Sequence, residues 1–465
     1  MTPGSAGIQS GRRRRRRRGR GRALGRIAEW GDTLRESFFF LPGILSIVAA
    51  LLAFVLIDVD RELPPGWADG ALFVRPAGAD GTRALLSAIV GSMITVTGVV
   101  FSITIVALTL TSQQFGPRLL RNFVRDRGNQ LVLGIFVATF LYSLIVLRAV
   151  HQDAVPHLSS AIAVVLAIAS MFVLIWFVHH TATSIQASQI VATVAREVDE
   201  QLSKFDELDG VHADQDGDDP STWPPVAAVV RSTESGYVRL VAIEDLVSVA
   251  ANYDIVIELV CQPGEFVVRG AELARVRAND ARAPKETLED EVRDGVVLGA
   301  QRTALQDLAF LIGQLVEIAV RALSPGINDP MTAVGCLERL GSIVGSLAEK
   351  AFEDTTHHDE DDHLRVIAPC PTYDDLVGLA FDSIRHYGAA DKRVVLALLR
   401  AHEVALGRCR EAERRRTLEA HVSQTEDAWQ ANGPHATRED AEVQLAATAA
   451  LHARGSETRN MKVES

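Results

Sequence analysis

Residues 85–110 read LLSAIVGSMITVTGVVFSITIVALTL, 26 positions without a charged side chain. About 20 apolar residues cross the hydrocarbon core of a bilayer, so the run is long enough for a tilted membrane helix. Inside it Ser87, Gly91, Thr95, Gly98, Ser102 and Thr109, continued by Ser112, recur at steps of three, four or seven residues. That is helical spacing, and it gathers them into one small, polar stripe. Leu86, Ile89, Met93, Ile103 and Leu110 fall on other faces. Two uses of the stripe stay open. Small residues let helix backbones approach and hydroxyls bond across helices. The same residues could instead form the water-facing wall of a pathway.

Working outward, three further apolar runs suit membrane spans, at 38–57, 130–147 and 158–178. Pro42 sits near the start of the first, where proline is tolerated. Asp58, Asp60, Arg61 and Glu62 are expected to stop it. The third offers Gly134, Ala138, Tyr142 and Ser143 for close packing. The head of the chain carries seven consecutive arginines, Arg12 to Arg18, and is expected to be disordered and to meet anionic lipid head groups. The loop after the second span holds Arg118, Arg121, Arg125 and Arg127 against Asp126 alone. The positive-inside rule puts both basic segments in the cytoplasm, with the two chain ends on that side of the membrane. His179 and His180, at the end of the fourth span, point about 100° apart on a helix and suit interfacial anchoring better than joint metal binding.

Charge divides the chain. Residues 1–180 hold 19 Lys+Arg and 10 Asp+Glu, and residues 181–465 hold 28 and 49, within a net charge of −12. The acidic half argues against nucleic acid as a partner. The four cysteines, Cys261, Cys336, Cys370 and Cys409, form no Cys-x-x-Cys pair, which suits a reducing compartment. The expected organisation is membrane α-helical, with four transmembrane helices, followed by a cytoplasmic α+β region. In order it is a disordered head (1–35), a four-helix membrane domain (36–180), a helical stalk (181–205), an acidic linker (206–225), a small β-module (226–280), a helical domain (291–430) and a mobile tail (431–465). The stalk is read as an extension of the fourth span, with Val191, Val194, Val198 and Leu202 on its apolar side. Within 226–278, β-branched runs are punctuated by Gly236, Pro263-Gly264 and Gly270. This stretch resembles the half-barrel hybrid motif of biotinyl and lipoyl carriers and efflux adaptors. It contains no lysine, which argues against a carrier's swinging arm.

A helix is expected over 295–323, with Asp307, Gln314, Glu317, Arg321 and Ser324 along one polar face. Glu317 and Arg321 make an i,i+4 pair in the favourable order. SPGINDP follows. Pro325 and Gly326 break the helix, and Asp329 is placed to cap the next one, with Pro330 in its first turn. The loop is either a plain connector or a site. In the second case Ser324, Asn328 and Asp329, facing Glu317 and Arg321, bind a small polar ligand or a neighbouring subunit. The stretch 355–363, TTHHDEDDH, has the composition of a solvated loop or of a weak metal site. A strand at 366–368 and helices at 373–387, 392–406 and 411–429 complete the reading.

RALSPGINDPMTAVGCLERLG, SQQFGPRLLRNFVRDR, FVHHTATSIQ and SGYV…PGEFV..G together resemble the domain of unknown function 2254 family of predicted bacterial membrane proteins, from about residue 30 to about 407. Met331 stands where that family commonly has an aromatic, and Gly116 where it has serine. The resemblance implies a membrane protein with a soluble C-terminal region and carries no catalytic residues. The sequence shows no phosphate loop, no HExxH and no nucleophile elbow, so no enzyme, cofactor or metal is expected. No ionisable residue lies deep in the four spans, which favours a passive pore over a coupled pump. The expected function is an oligomeric channel or transport-related protein with a regulatory domain. The alternative is a membrane-anchored scaffold or sensor that binds through SPGINDP.

Overall fold

Four helices long and apolar enough to cross a membrane open the chain: α1 (Phe40–Glu62), α2 (Ala79–Phe115), α3 (Arg127–Ala149) and α4 (His157–Ser184). The computed structural model describes residues 39–63, 78–115, 126–152, 155–184, 186–208, 223–279, 285–304, 306–350, 356–433 and 441–452. The Arg-rich head, Arg118, Arg121, Arg125 and most of the acidic linker lie outside the described residues. The chain divides into two units, Met1–Gln186 and Ala187–Ser465.

The helices of the first unit overrun the expected spans. α1 continues through Asp58, Asp60, Arg61 and Glu62, because charges end an apolar run without ending a helix. α2 has 37 residues, about 55 Å at 1.5 Å per residue. α3 is the central helix: 50% of its apolar stretch is buried, against 22%, 22% and 17% for α1, α2 and α4. Gly134 lets α1 come close, since a Cβ there would stand 2.6 Å from Leu45 Cδ1 and 3.2 Å from Pro42 Cα. Ala49, Ala53 and Ile57, one turn apart, form the buried side of α1.

Polar links tie the helix ends. Asp60 of α1 accepts from the backbone N–H groups of Leu158 and Ser159, both at 2.9 Å, and from the Ser159 hydroxyl at 2.6 Å. It thereby caps α4 from another helix. At the other end of α3 and α4, Asp126 caps α3 through Gly128 N–H and meets His180 Nε2 at 2.6 Å. The His180 ring stacks on Trp176 at 4.6 Å. His180 is thus a helix-to-helix link, a role beyond the expected interfacial anchor.

The second unit begins with α5 (Ala187–Leu208), which is separate from α4. The segment expected as the stalk, 181–205, is thus divided between the last turn of α4 and α5. Two sheets follow, from β1 (Val226–Arg231), β2 (Gly236–Val241), α6 (Ile243–Tyr253), β3 (Val256–Leu259), β4 (Phe266–Val267), β5 (Glu272–Arg277), α7 (Lys285–Asp294) and β6 (Val296–Gly299). Then come α8 (Leu308–Ala322), α9 (Pro330–Glu349), β7 (Thr356–His358), β8 (Leu364–Ile367), α10 (Tyr373–Gly388), α11 (Lys392–Arg408), α12 (Ala412–Asn432) and α13 (Ala441–His452).

The β-module does not close at residue 280. One sheet has the order β1-β5-β3-β8-β7, with β8 parallel to β3, and the other the order β4-β2-β6. Strands from 296–299 and 356–367 therefore cover edges that the 226–280 segment leaves open. The core between them includes Val230, Leu246, Ile257, Leu273, Val276, Val292 and Val366. Val296–Gly299 is strand, so the helix expected from 295 starts only at Leu308. Asp307, expected on that helix's polar face, is instead its N-cap, accepting from Phe310 N–H at 2.8 Å and from Arg302 twice. It is buried under Gly264, whose φ of 89° suits glycine.

The helical part holds together through its middle. α5 turns Val191, Val194, Ala195, Val198 and Leu202 inward and packs on α8 and α9. Gly341 of α9 touches α11 so closely that a Cβ would lie 2.8 Å from Ala401 Cα. Arg414 donates to the carbonyls of Leu347 and Lys350 and lies over the Tyr373 ring. Thr372 and Asp375 form a capping box at the start of α10. Helix α13 stands in the segment expected to be a mobile tail, docked by buried Val443, Ala447 and Ala450.

Candidate functional site

Two candidate sites were legible in the sequence, and the structure treats them differently. On α2 the buried residues are Thr82, Leu86, Ile89, Met93, Val100, Thr104, Ala107 and Thr111. Ser87, Gly91, Thr95, Gly98, Ser102 and Thr109 are all exposed. At 100° per residue the two sets lie on opposite sides of the helix. The stripe therefore packs against no other helix of its own chain among the described residues. Nothing lies within 4 Å of where a Cβ on Gly91 or Gly98 would stand. Thr95 and Thr109 bond the carbonyls of Gly91 and Ile105, so their hydroxyls are met within the helix.

The SPGINDP loop joins α8 to α9. Asp329 caps α9 as expected, accepting from Thr332 N–H at 3.2 Å and from the Thr332 hydroxyl at 2.6 Å. Glu317 and Arg321 pair at 3.5 Å, each about a third exposed, so the pair adds little stability. Ser324, expected to stay available, donates its hydroxyl to the Arg321 carbonyl at 2.6 Å and so helps to end α8. Gln314 is buried, so the expected polar face does not run continuously toward the loop. Among these loop residues Asn328 stands apart. Its side chain is exposed and makes no hydrogen bond among the described residues. Its φ of 50° lies in the left-handed region, where asparagine is better tolerated than most residues. Ile327 and Met331 beside it are 40% and 60% exposed.

Other candidates resolve into structure. Asp359, in the His/Asp-rich hairpin, accepts from Arg365 at 2.6 Å and from the N–H groups of Asp361 and His363. These bonds hold its carboxyl below the usual range, at about 2. Arg365 also reaches Asp254, tying the hairpin to α6. Among the described residues no group of three or more His, Cys, Asp or Glu side chains is placed to hold a metal. Burial pushes the Cys261 thiol up to about 11 and the Cys336 thiol up to about 12, which makes both poor nucleophiles. Sequence reasoning passed over His402 of α11, which is fully buried beside Phe381 and His421. Its Nδ1 is 2.6 Å from the Leu398 carbonyl, so Nδ1 carries the proton and Nε2 faces the core as an acceptor.

Residues 35–403 match a family described as predicted membrane protein (DUF2254). The chain belongs to this family. Uncharacterized proteins of Mycobacterium bovis and Mycobacterium tuberculosis are similar to it, each 33% identical over 350 residues, or 73% of this chain and 67% of the relative. No solved structure matches the chain. The DUF2254 match spans the four apolar helices, both sheets and the SPGINDP loop, and ends within α11. The chain is thus a membrane protein of an uncharacterised family, with a mostly helical second region.

Proposed function

We propose that this DUF2254 protein works as an oligomer in which the α2 stripes of neighbouring copies face one another along a passive pathway. The observation that carries this reading is the placement of all six stripe residues opposite the buried face of α2. Small residues of this kind are what membrane helices use at close contacts. A bundle that keeps them on its outside has a seam to offer a second copy. The arginines before α1 and after α2 orient the bundle with its second unit in the cytoplasm of a bacterial inner membrane. There that unit regulates the pathway without chemistry of its own, and anionic lipid head groups meet the Arg-rich head. The test is ion and small-solute flux through liposomes holding the full chain. Flux that Gly98→Leu abolishes and Val99→Leu spares supports the reading, and absence of flux contradicts it.

A second reading rests on the loop. Asn328, with Ile327 and Met331 exposed beside it, suits the docking of a ligand or partner by a membrane-anchored scaffold or sensor. It gains if Asn328→Gly destroys function in cells while flux is unchanged.

A further inference from the structure

The bundle contains a second polar row, on its inside. Asn129 and Ser143 of α3 are 14 residues apart, two heptads, and so share one face of the helix about 21 Å apart. Phe136 stands midway between them. Their exposures are 2%, 0% and 0%. Neither amide atom of Asn129 has a hydrogen-bond partner among the described residues, and neither has the hydroxyl of Ser143.

That deficit departs from the common pattern of the bundle, and among the described residues the buried Thr111 hydroxyl of α2 shares it. A serine or threonine in a membrane helix ordinarily bonds the carbonyl one turn back. Thr97, Thr104, Ser160 and Ser170 all do so. Thr139 of α3 finds Ser170 across the bundle, and Tyr142 finds the Ser159 carbonyl. Ser143 does neither. Asn129, with two donors and an acceptor, has no local carbonyl that could satisfy all of them. A buried polar group without a partner is costly, and ordered water is the usual remedy in folded proteins.

We infer that the interior face of α3 holds two hydration sites, one at Asn129 and one at Ser143, separated by the Phe136 ring. Water fits better than an ion. The two side chains together offer donors and acceptors without net charge. The acid nearest in sequence, Asp126, is already engaged by Gly128 N–H and His180. The inference is independent of the α2 seam and holds whether or not anything crosses the membrane.

Pulsed hydroxyl-radical labelling, with the radicals generated from bound water by X-rays, tests it on the full chain in lipid nanodiscs. Leu133 and Leu147 each follow a site by four residues. Both should be labelled several-fold faster than Leu86, which is fully buried on α2. Asn129→Leu should remove the excess at Leu133 only, and Ser143→Ala the excess at Leu147 only. Leucine has the branching of asparagine, so a dry, unpartnered amide would make Asn129→Leu raise the thermal midpoint. A hydrated one gives no rise. Labelling at the Leu86 rate in the wild-type chain overturns the inference even if a variant fails to fold. So does labelling that the variants leave unchanged, or a raised midpoint in Asn129→Leu.

Discussion

The two units of the chain spend their polar groups in different places. In the membrane unit the links between helices that involve charged side chains sit at the ends: Asp60 on the start of α4, Asp126 on His180, and Arg83 on the Val150 carbonyl. The middle is apolar apart from a few hydroxyls, and the two buried amides, Asn129 and Gln130, also stand at an end, in the first turn of α3. In the helical part of the second unit, Arg414, His402 and the Gly341 contact lie inside the fold. The difference follows from the surroundings. Lipid gives no reward for burying apolar surface between helices, and charge is tolerated only near the head groups. Water rewards apolar burial, so the second unit can carry buried polar groups, most of them bonded inside the fold and a few, such as His402 Nε2, without a partner among the described residues.

The largest expected effect contrasts two glycines. Gly341→Leu forces a side chain into the α9–α11 contact and should cost about 3 kcal/mol, the upper end for overpacking, in denaturant unfolding of the second unit. Gly98→Leu meets nothing of its own chain and should cost the membrane unit far less, its effect confined to the contact between copies. Equal destabilisation by both changes would break the comparison.

Next comes acid. Burial is the main cause holding His402 down, at about 3, with His421 and Arg385 adding to it against the Leu398 carbonyl. An unfolded histidine takes up its proton near pH 6.5. The folded state must stay neutral at this position, so its stabilising share is complete above pH 6.5 and is lost as pH falls from there toward 3. The loss approaches about 1.4 kcal/mol per pH unit. Asp382 and Asp374 pull His421, which burial lowers as well, in the opposite direction. His402→Phe should flatten the acid limb of the unfolding profile of the second unit. An unchanged limb would locate the acid sensitivity elsewhere.

Asp60→Ala should cost the membrane unit about 1–2 kcal/mol, the usual loss for a helix cap, and leave the second unit untouched. Circular dichroism melts in nanodiscs read the two transitions. The smallest contrast lies in the SPGINDP loop. Asp329→Ala should cost about 0.5–2 kcal/mol as a lost cap. Asn328→Gly should cost almost nothing, while Asn328→Ala should cost about 1 kcal/mol because alanine resists the left-handed backbone. If Asn328→Gly destabilises as much as Asp329→Ala, the asparagine is structural.

Much of this was legible locally. An apolar run announces a span, Asp329-Pro330 announces a cap, and the periodicity at 373–429 gave three helices at nearly their observed bounds. What failed needed partners far away in sequence. GVVLG at 295–299 is a short apolar run that periodicity cannot tell from a helix start, and only β2 makes it a strand. The Ala-rich segment at 441–452 is ordered by contact with α11. The stripe shows the same limit. Spacing tells which residues share a face, and it does not tell what that face meets.

What it meets decides the account. Single cysteines at positions 98 and 102 of α2, in full chains whose four native cysteines are replaced by serine or alanine, should form disulfide-linked dimers in native membranes under mild oxidation. Cysteines at Ile103 and Leu110, exposed but turned well away from the stripe, should remain monomeric. Dimers at 98 and 102 alone are the predicted result. No dimers at the stripe, or equal dimers at all four positions, would contradict the seam.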